Sequence, residues 1–86
     1  DRPHLALDYA ERALGLDASN AEAEFYRARA LTLLNRKQEA HISYRRAAGL
    51  DSNFLTPFGI WLIEEGRLDE AQEILAERLA RQPHDG

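Results

Sequence analysis

Arg12-Ala13-Leu14-Gly15-Leu16-Asp17 returns as Arg46-Ala47-Ala48-Gly49-Leu50-Asp51, 34 residues later. Ala6 and Ala40 keep the same spacing upstream of the two blocks. Self-similarity at a fixed period of ~20–50 residues marks a stack of supersecondary units, each of which buries its apolar face only against its neighbours. The chain therefore reads as a repeat protein. Its function is expected in the positions that vary between repeats.

Around these blocks the apolar residues follow helical spacing, and five helices are expected. The first covers about residues 3–16, with Leu5, Tyr9/Ala10, Ala13 and Leu16 on one stripe. The second covers about 21–34, with Phe25, Ala28, Leu31 and Leu34 along a stripe, and Ser19 or Asn20 is available to cap it. The third, about 37–50, turns Ala40, Tyr44, Ala47 and Ala48 inward. Thr56-Pro57 reads as an N-cap followed by proline at the first helical position, and Gly66 as the residue past the end, which gives a short helix over about 57–65. The fifth, about 68–81, carries Leu68, Ala71, Leu75 and Leu79 and stops before Pro83. No strand alternation, linker or low-complexity segment interrupts this pattern.

Composition narrows the function. With 86 residues the chain is one small domain. A fold of this size buries only about 60% of its unfolded surface, so a deep catalytic cavity is not expected. The net charge of −4 argues against binding nucleic acid. Charge is uneven: residues 1–20 sum to −2, 21–49 to +3 and 50–86 to −5. There is no cysteine, which removes disulfides and thiolate metal sites. No apolar run approaches the ~20 residues of a membrane span, so this segment is not expected to insert. Methionine is absent even at position 1, which leads us to expect a piece of a longer protein. One lysine against ten arginines suggests a GC-rich bacterial source, with cytoplasm and periplasm both open.

The period and the residues within it resemble the tetratricopeptide repeat family. Residues 21–54 match a full unit through Ala28 as the small residue of its first helix, then Ala40, Tyr44, Ala47 and the closing Leu50-Asp51-Ser52-Asn53. Residues 55–83 match through Gly59, Leu62, the run Gly66-Arg67-Leu68-Asp69-Glu70-Ala71, Leu75 and Pro83. Residues 3–20 are similar to the second helix of an earlier repeat. Several positions depart from the family pattern. Glu24 stands where many repeats have a large aromatic, Arg27 where leucine is usual, and Arg78 replaces a small residue. Ala40 to Ala71 spans 31 residues, three short of the period, and the Thr56-Pro57 reading places the loss at the start of the fourth helix.

The resemblance implies an all-α solenoid of antiparallel helix pairs whose concave side is lined by the first helix of each repeat. On it, helical phase selects Phe25, Arg29, Thr32 and Leu33, with Ile60 and Ile63 in the last repeat, as the partner-binding residues. Ile60-Trp61-Leu62-Ile63 is apolar all round the helix, so Ile60 and Ile63 either are covered by neighbours or form an exposed groove. Family members that grip acidic chaperone tails do so with a set of Lys, Asn and Arg. The corresponding slots here hold Phe25, Tyr26, Arg29, Asn53, Pro57 and Ile60, so that activity is not expected.

Other chemistry is weakly represented. His4, His41 and His84 share no metal-ligand spacing. Glu64-Glu65 and Asp69-Glu70 flank a turn and a helix start, where acids favour the positive helix end. No nucleophile elbow, phosphate loop or cofactor motif is present. The expectation is a non-enzymatic module that binds a peptide or helix of a partner protein. The alternative is a structural spacer in a larger bacterial scaffold, such as an envelope or polysaccharide-export assembly, self-associating through exposed repeat ends.

Overall fold

The computed structural model of the chain describes residues 2–81, so Pro83 and His84 lie outside the described residues. Five α-helices follow one another: α1 (Arg2–Leu16), α2 (Ala21–Leu33), α3 (Lys37–Leu50), α4 (Leu55–Glu64) and α5 (Leu68–Arg81). A single 3₁₀ turn, Ser52–Phe54, leads into α4. α1 packs along α2, α2 along α3 and α4 along α5, while α3 holds the 3₁₀ turn and α4. The short turns make successive helices antiparallel. The described residues contain no strand, and no helix among them is long and apolar enough to cross a membrane.

The 34-residue echo is an echo of turn geometry. Asp17 accepts the Ser19 N–H at 3.0 Å and the Ser19 hydroxyl at 2.7 Å, and Asp51 accepts the Asn53 N–H at 2.9 Å. The Asp17 N–H donates to the Ala13 carbonyl and the Asp51 N–H to the Ala47 carbonyl, each at 2.9 Å. An aspartate that bonds the backbone two residues on closes the helix and turns the chain. The Ser19 hydroxyl and then its N–H hold the Asp17 carboxyl below its ordinary range. The other turns repeat at 31 residues. Asn35 (φ 61) and Gly66 (φ 80) are left-handed, and the N–H groups of Arg36 and Arg67 reach back to Leu31 and Leu62, each at 2.8 Å. This is the Schellman closure, which favours glycine or asparagine at that residue.

Three residues are therefore lost inside the first helix of the second unit: α2 has 13 residues and α4 has 10. The start of α4 differs from the sequence expectation. The helix begins at Leu55, Thr56 is its second residue, and Phe54 precedes it without a side-chain cap. Asp51 initiates the 3₁₀ turn that runs on into α4, so Thr56 has no capping role. Pro57 becomes the third helical residue, still within the turn whose N–H groups lack intrahelical acceptors.

The core joins Ala28 and Leu31 of α2, Ala40, Tyr44 and Ala48 of α3, and Leu55, Phe58, Trp61 and Leu62 of α4. Alanines let α2 and α3 approach closely, and aromatic rings fill the space beside them. At Gly59 an added Cβ would lie 2.6 Å from the Leu75 branch carbon, so glycine is what allows α5 against α4. The stripe expected on α1 is buried only in part. Leu7 and Ala10 are buried, whereas Leu5, Tyr9 and Leu16 are exposed, because α2 covers one side of α1 only. On α5, Ala71 is buried but Leu68 and Leu79 are exposed for the same reason. The fold measures 44 × 29 × 16 Å, thin enough that most helices keep an uncovered face.

Candidate partner-binding site

α2 and α4, with Tyr44 of α3 between them in sequence, line a shallow cleft of about 180 Å³ through Arg29, Thr32, Leu33, Tyr44, Trp61 and Glu64. Its floor is fixed by one tertiary hydrogen bond: the Trp61 indole N–H donates to the Thr32 hydroxyl at 3.0 Å. That hydroxyl in turn donates to the Ala28 carbonyl at 2.9 Å, so its orientation is locked. Tyr44 stacks on Phe58 with ring centroids 6.0 Å apart and lies 5.2 Å from the Trp61 ring. Burial raises the Tyr44 pKa above its ordinary value, with Arg29 opposing and Glu64 adding to the rise. The cleft thus carries a cation and an anion with a neutral phenol between them.

The six residues selected from sequence divide into three groups. Arg29, Thr32 and Leu33 come together in the cleft, and Leu33 is 71% exposed. Phe25 is half-buried among Tyr26, Tyr44 and Phe54, at centroid distances of 5.5, 6.0 and 5.0 Å, and supports Arg29, whose guanidinium carbon lies 5.7 Å from its ring centre. Ile60 and Ile63 are 49% and 48% exposed, while Trp61 and Leu62 between them are buried. They do not line the cleft. At 31 residues they are the α4 counterparts of Arg29 and Thr32, so they face onward as those residues face α4.

Trp61 belongs to the core and also forms the cleft floor, a role that sequence reasoning did not give it. The available signal was a hydroxyl at Thr32 with an indole at Trp61 on neighbouring first helices. Tyr44 is also a lining residue that phase alone did not select, and Glu64, which phase puts beside Ile60 and Ile63, lines the cleft where they do not.

A second cleft, of about 350 Å³, lies between α1 and α2. Ala6, Tyr9, Ala10 and Ala13 of α1 and Glu22, Ala23 and Tyr26 of α2 line it. Ala6, Ala10 and Ala13 stand 34 residues before Ala40, Tyr44 and Ala47, whose faces are covered.

At the junction of α3 and α5, Glu70 accepts from His41 Nε2 at 2.8 Å and Arg45 at 2.7 Å, with Arg67 at 3.4 Å. Partial burial disfavours the charged carboxylate, but the His41 hydrogen bond and charge, with Arg45 and Arg67, outweigh it and lower the Glu70 pKa. Among the described residues no three His, Cys, Asp or Glu side chains are grouped to hold a metal ion.

Residues 22–85 match the family model described as YpiA-like, C-terminal tetratricopeptide repeats. No match was found among curated proteins or solved structures.

Proposed function

The chain belongs to the YpiA-like family of C-terminal tetratricopeptide repeats, and on that premise we propose that it holds an extended or helical segment of a partner protein in the cleft between α2 and α4. Tetratricopeptide repeats are generally non-catalytic and mediate protein interactions. The observation that carries the finer reading is the make-up of the cleft: Arg29 and Glu64 beside exposed Leu33, over a floor locked by Trp61 and Thr32. A partner carboxylate or backbone carbonyl fits Arg29, and an apolar side chain fits Leu33. Ile60 and Ile63 would extend the apolar contact along α4.

The test is a photo-crosslinking residue at position 33, introduced into the protein in its source cells. One discrete crosslinked protein is expected, and Arg29→Glu should remove it. Equal crosslinking from position 73, an exposed site on α5, would overturn the proposal.

A second reading, a structural spacer that self-associates, is favoured by the open cleft along α1, where Ala6 and Tyr9 are exposed and Ala13 is half-buried. Light scattering over a concentration series separates the two readings. Dimers or larger species support the spacer, and a strictly monomeric protein at high concentration counts against it.

A further inference from the structure

Glu24 is the one acidic side chain among the described residues that is buried, at 4% exposed. Its Oε1 has no hydrogen-bond partner among the described residues. Its Oε2 lies 3.8 Å from Arg46, beyond hydrogen-bond length, and the Arg46 side chain is 66% exposed. A buried oxygen left without a donor is costly, and native folds rarely tolerate one without a use. Glu24 forms the floor of an open cleft of about 510 Å³ between the C-terminal parts of α1 and α3, with Leu14, Ala18, Gly49 and Leu50 as its apolar walls. The cleft is open above Gly49, where an added Cβ would meet nothing within 4 Å.

The protein contains its own control. Thirty-one residues on, Leu55 takes the place of Glu24 at 3% exposure, and it lies in the corresponding cleft between α3 and α5. There the floor is Leu55 and Phe58, and the position of Arg46 is held by Glu77. The fold thus tolerates leucine at this position, and of the two clefts only the first has a carboxylate at its buried floor.

We infer that the α1–α3 cleft binds a single alkylammonium or guanidinium group, with the Glu24 carboxylate as acceptor and the alkyl stem against Leu14, Ala18 and Leu50. Arg46 is the resident competitor, close enough to screen the carboxylate but too far to satisfy it. Glu24 and Leu33 are nine residues apart, about two and a half helical turns, so this site and the cleft between α2 and α4 open on opposite sides of α2. Such a cation can come from a lysine or arginine side chain of a polypeptide or from a free amine.

The experiment is an NMR titration of the chain with n-butylammonium chloride and, separately, with doubly blocked lysine, with n-butanol as neutral control. Both cations should give saturable shifts at Leu14, Ala18, Gly49 and Leu50, and n-butanol should not. Glu24→Gln should weaken binding about tenfold, the loss expected for a charged hydrogen bond. Glu24→Leu, which installs the residue of the second cleft, should keep the fold and show the same loss. Arg46→Ala should tighten binding. Tighter binding of blocked lysine than of butylammonium identifies a polypeptide side chain as the source, and the reverse identifies a free amine. Absence of saturable shifts with either cation overturns the inference. Unchanged affinity in both Glu24 variants, or weaker binding after Arg46→Ala, does so as well.

Discussion

The two joints between successive repeats use the same positions with opposite chemistry. Where α2 meets α1 and α3, Arg27 donates to the Ser43 hydroxyl and reaches Glu11 at 3.4 Å, while Glu24 lies 3.8 Å from Arg46. Where α4 meets α3, the counterparts of Glu24, Arg27 and Ala30 are Leu55, Phe58 and Trp61, packed with Tyr44 and His41. One joint is ionic and partly exposed; the other is a stack of rings. The repeat fixes where helices cross, while the residue at each crossing decides whether the joint is held by packing or by charge. The shorter α4 has lost three residues of helix, and its aromatic joint supplies burial that the lost turn does not.

Substitutions can break this contrast. Phe58→Ala removes a fully buried ring from the aromatic joint and should cost about 3–5 kcal/mol, measured by urea denaturation. Arg27→Ala, the same position in the ionic joint, should cost clearly less. Equal costs would mean that the two joints are not different in kind. Glu24→Leu makes the first joint resemble the second and should raise stability by about 1–3 kcal/mol, as removal of a poorly satisfied buried ion often does. A destabilised Glu24→Leu protein would show that the ionic joint depends on this carboxylate.

Acid sharpens the comparison further. The folded-state pKa of Glu70 is lowered from its ordinary 4.5, so its contribution is present above that value and is lost as pH falls through the folded value. Glu70→Gln should flatten the acid-side fall in stability, read from thermal melts over a pH series. The smallest effect concerns glycine. Gly49→Ala should stabilise by about 0.5–1 kcal/mol, because an added Cβ meets nothing there. Gly59→Ala should lose that gain against Leu75.

Much of this architecture was legible in the sequence. The span of α3 and the start of α5 follow from periodicity, and the turns from Asp17, Asp51, Asn35 and Gly66. The start of α4 was not, because Asp51 began a 3₁₀ turn that overrode the local Thr56-Pro57 signal. Helical phase groups Leu5, Tyr9 and Leu16 on one apolar stripe, but it does not say whether a neighbour covers them, and among the described residues none does. In the candidate site, Arg29 and Leu33 follow from phase, whereas the Trp61 floor depends on a bond between residues 29 apart in sequence. Glu24 was visible as a departure from the repeat. Its burial and its unpaired oxygen arise only from the packing of three helices.

The central claim is that the cleft between α2 and α4 receives the partner, and the single tryptophan offers a direct probe of it. The Trp61 indole N–H should give one resolved NMR signal, held by Thr32 at the cleft floor. Titrating the crosslinked partner segment should shift that signal together with the amides of Arg29 and Leu33. Shifts centred instead on Ala6, Tyr9 and Ala13, with the indole unmoved, would contradict the account.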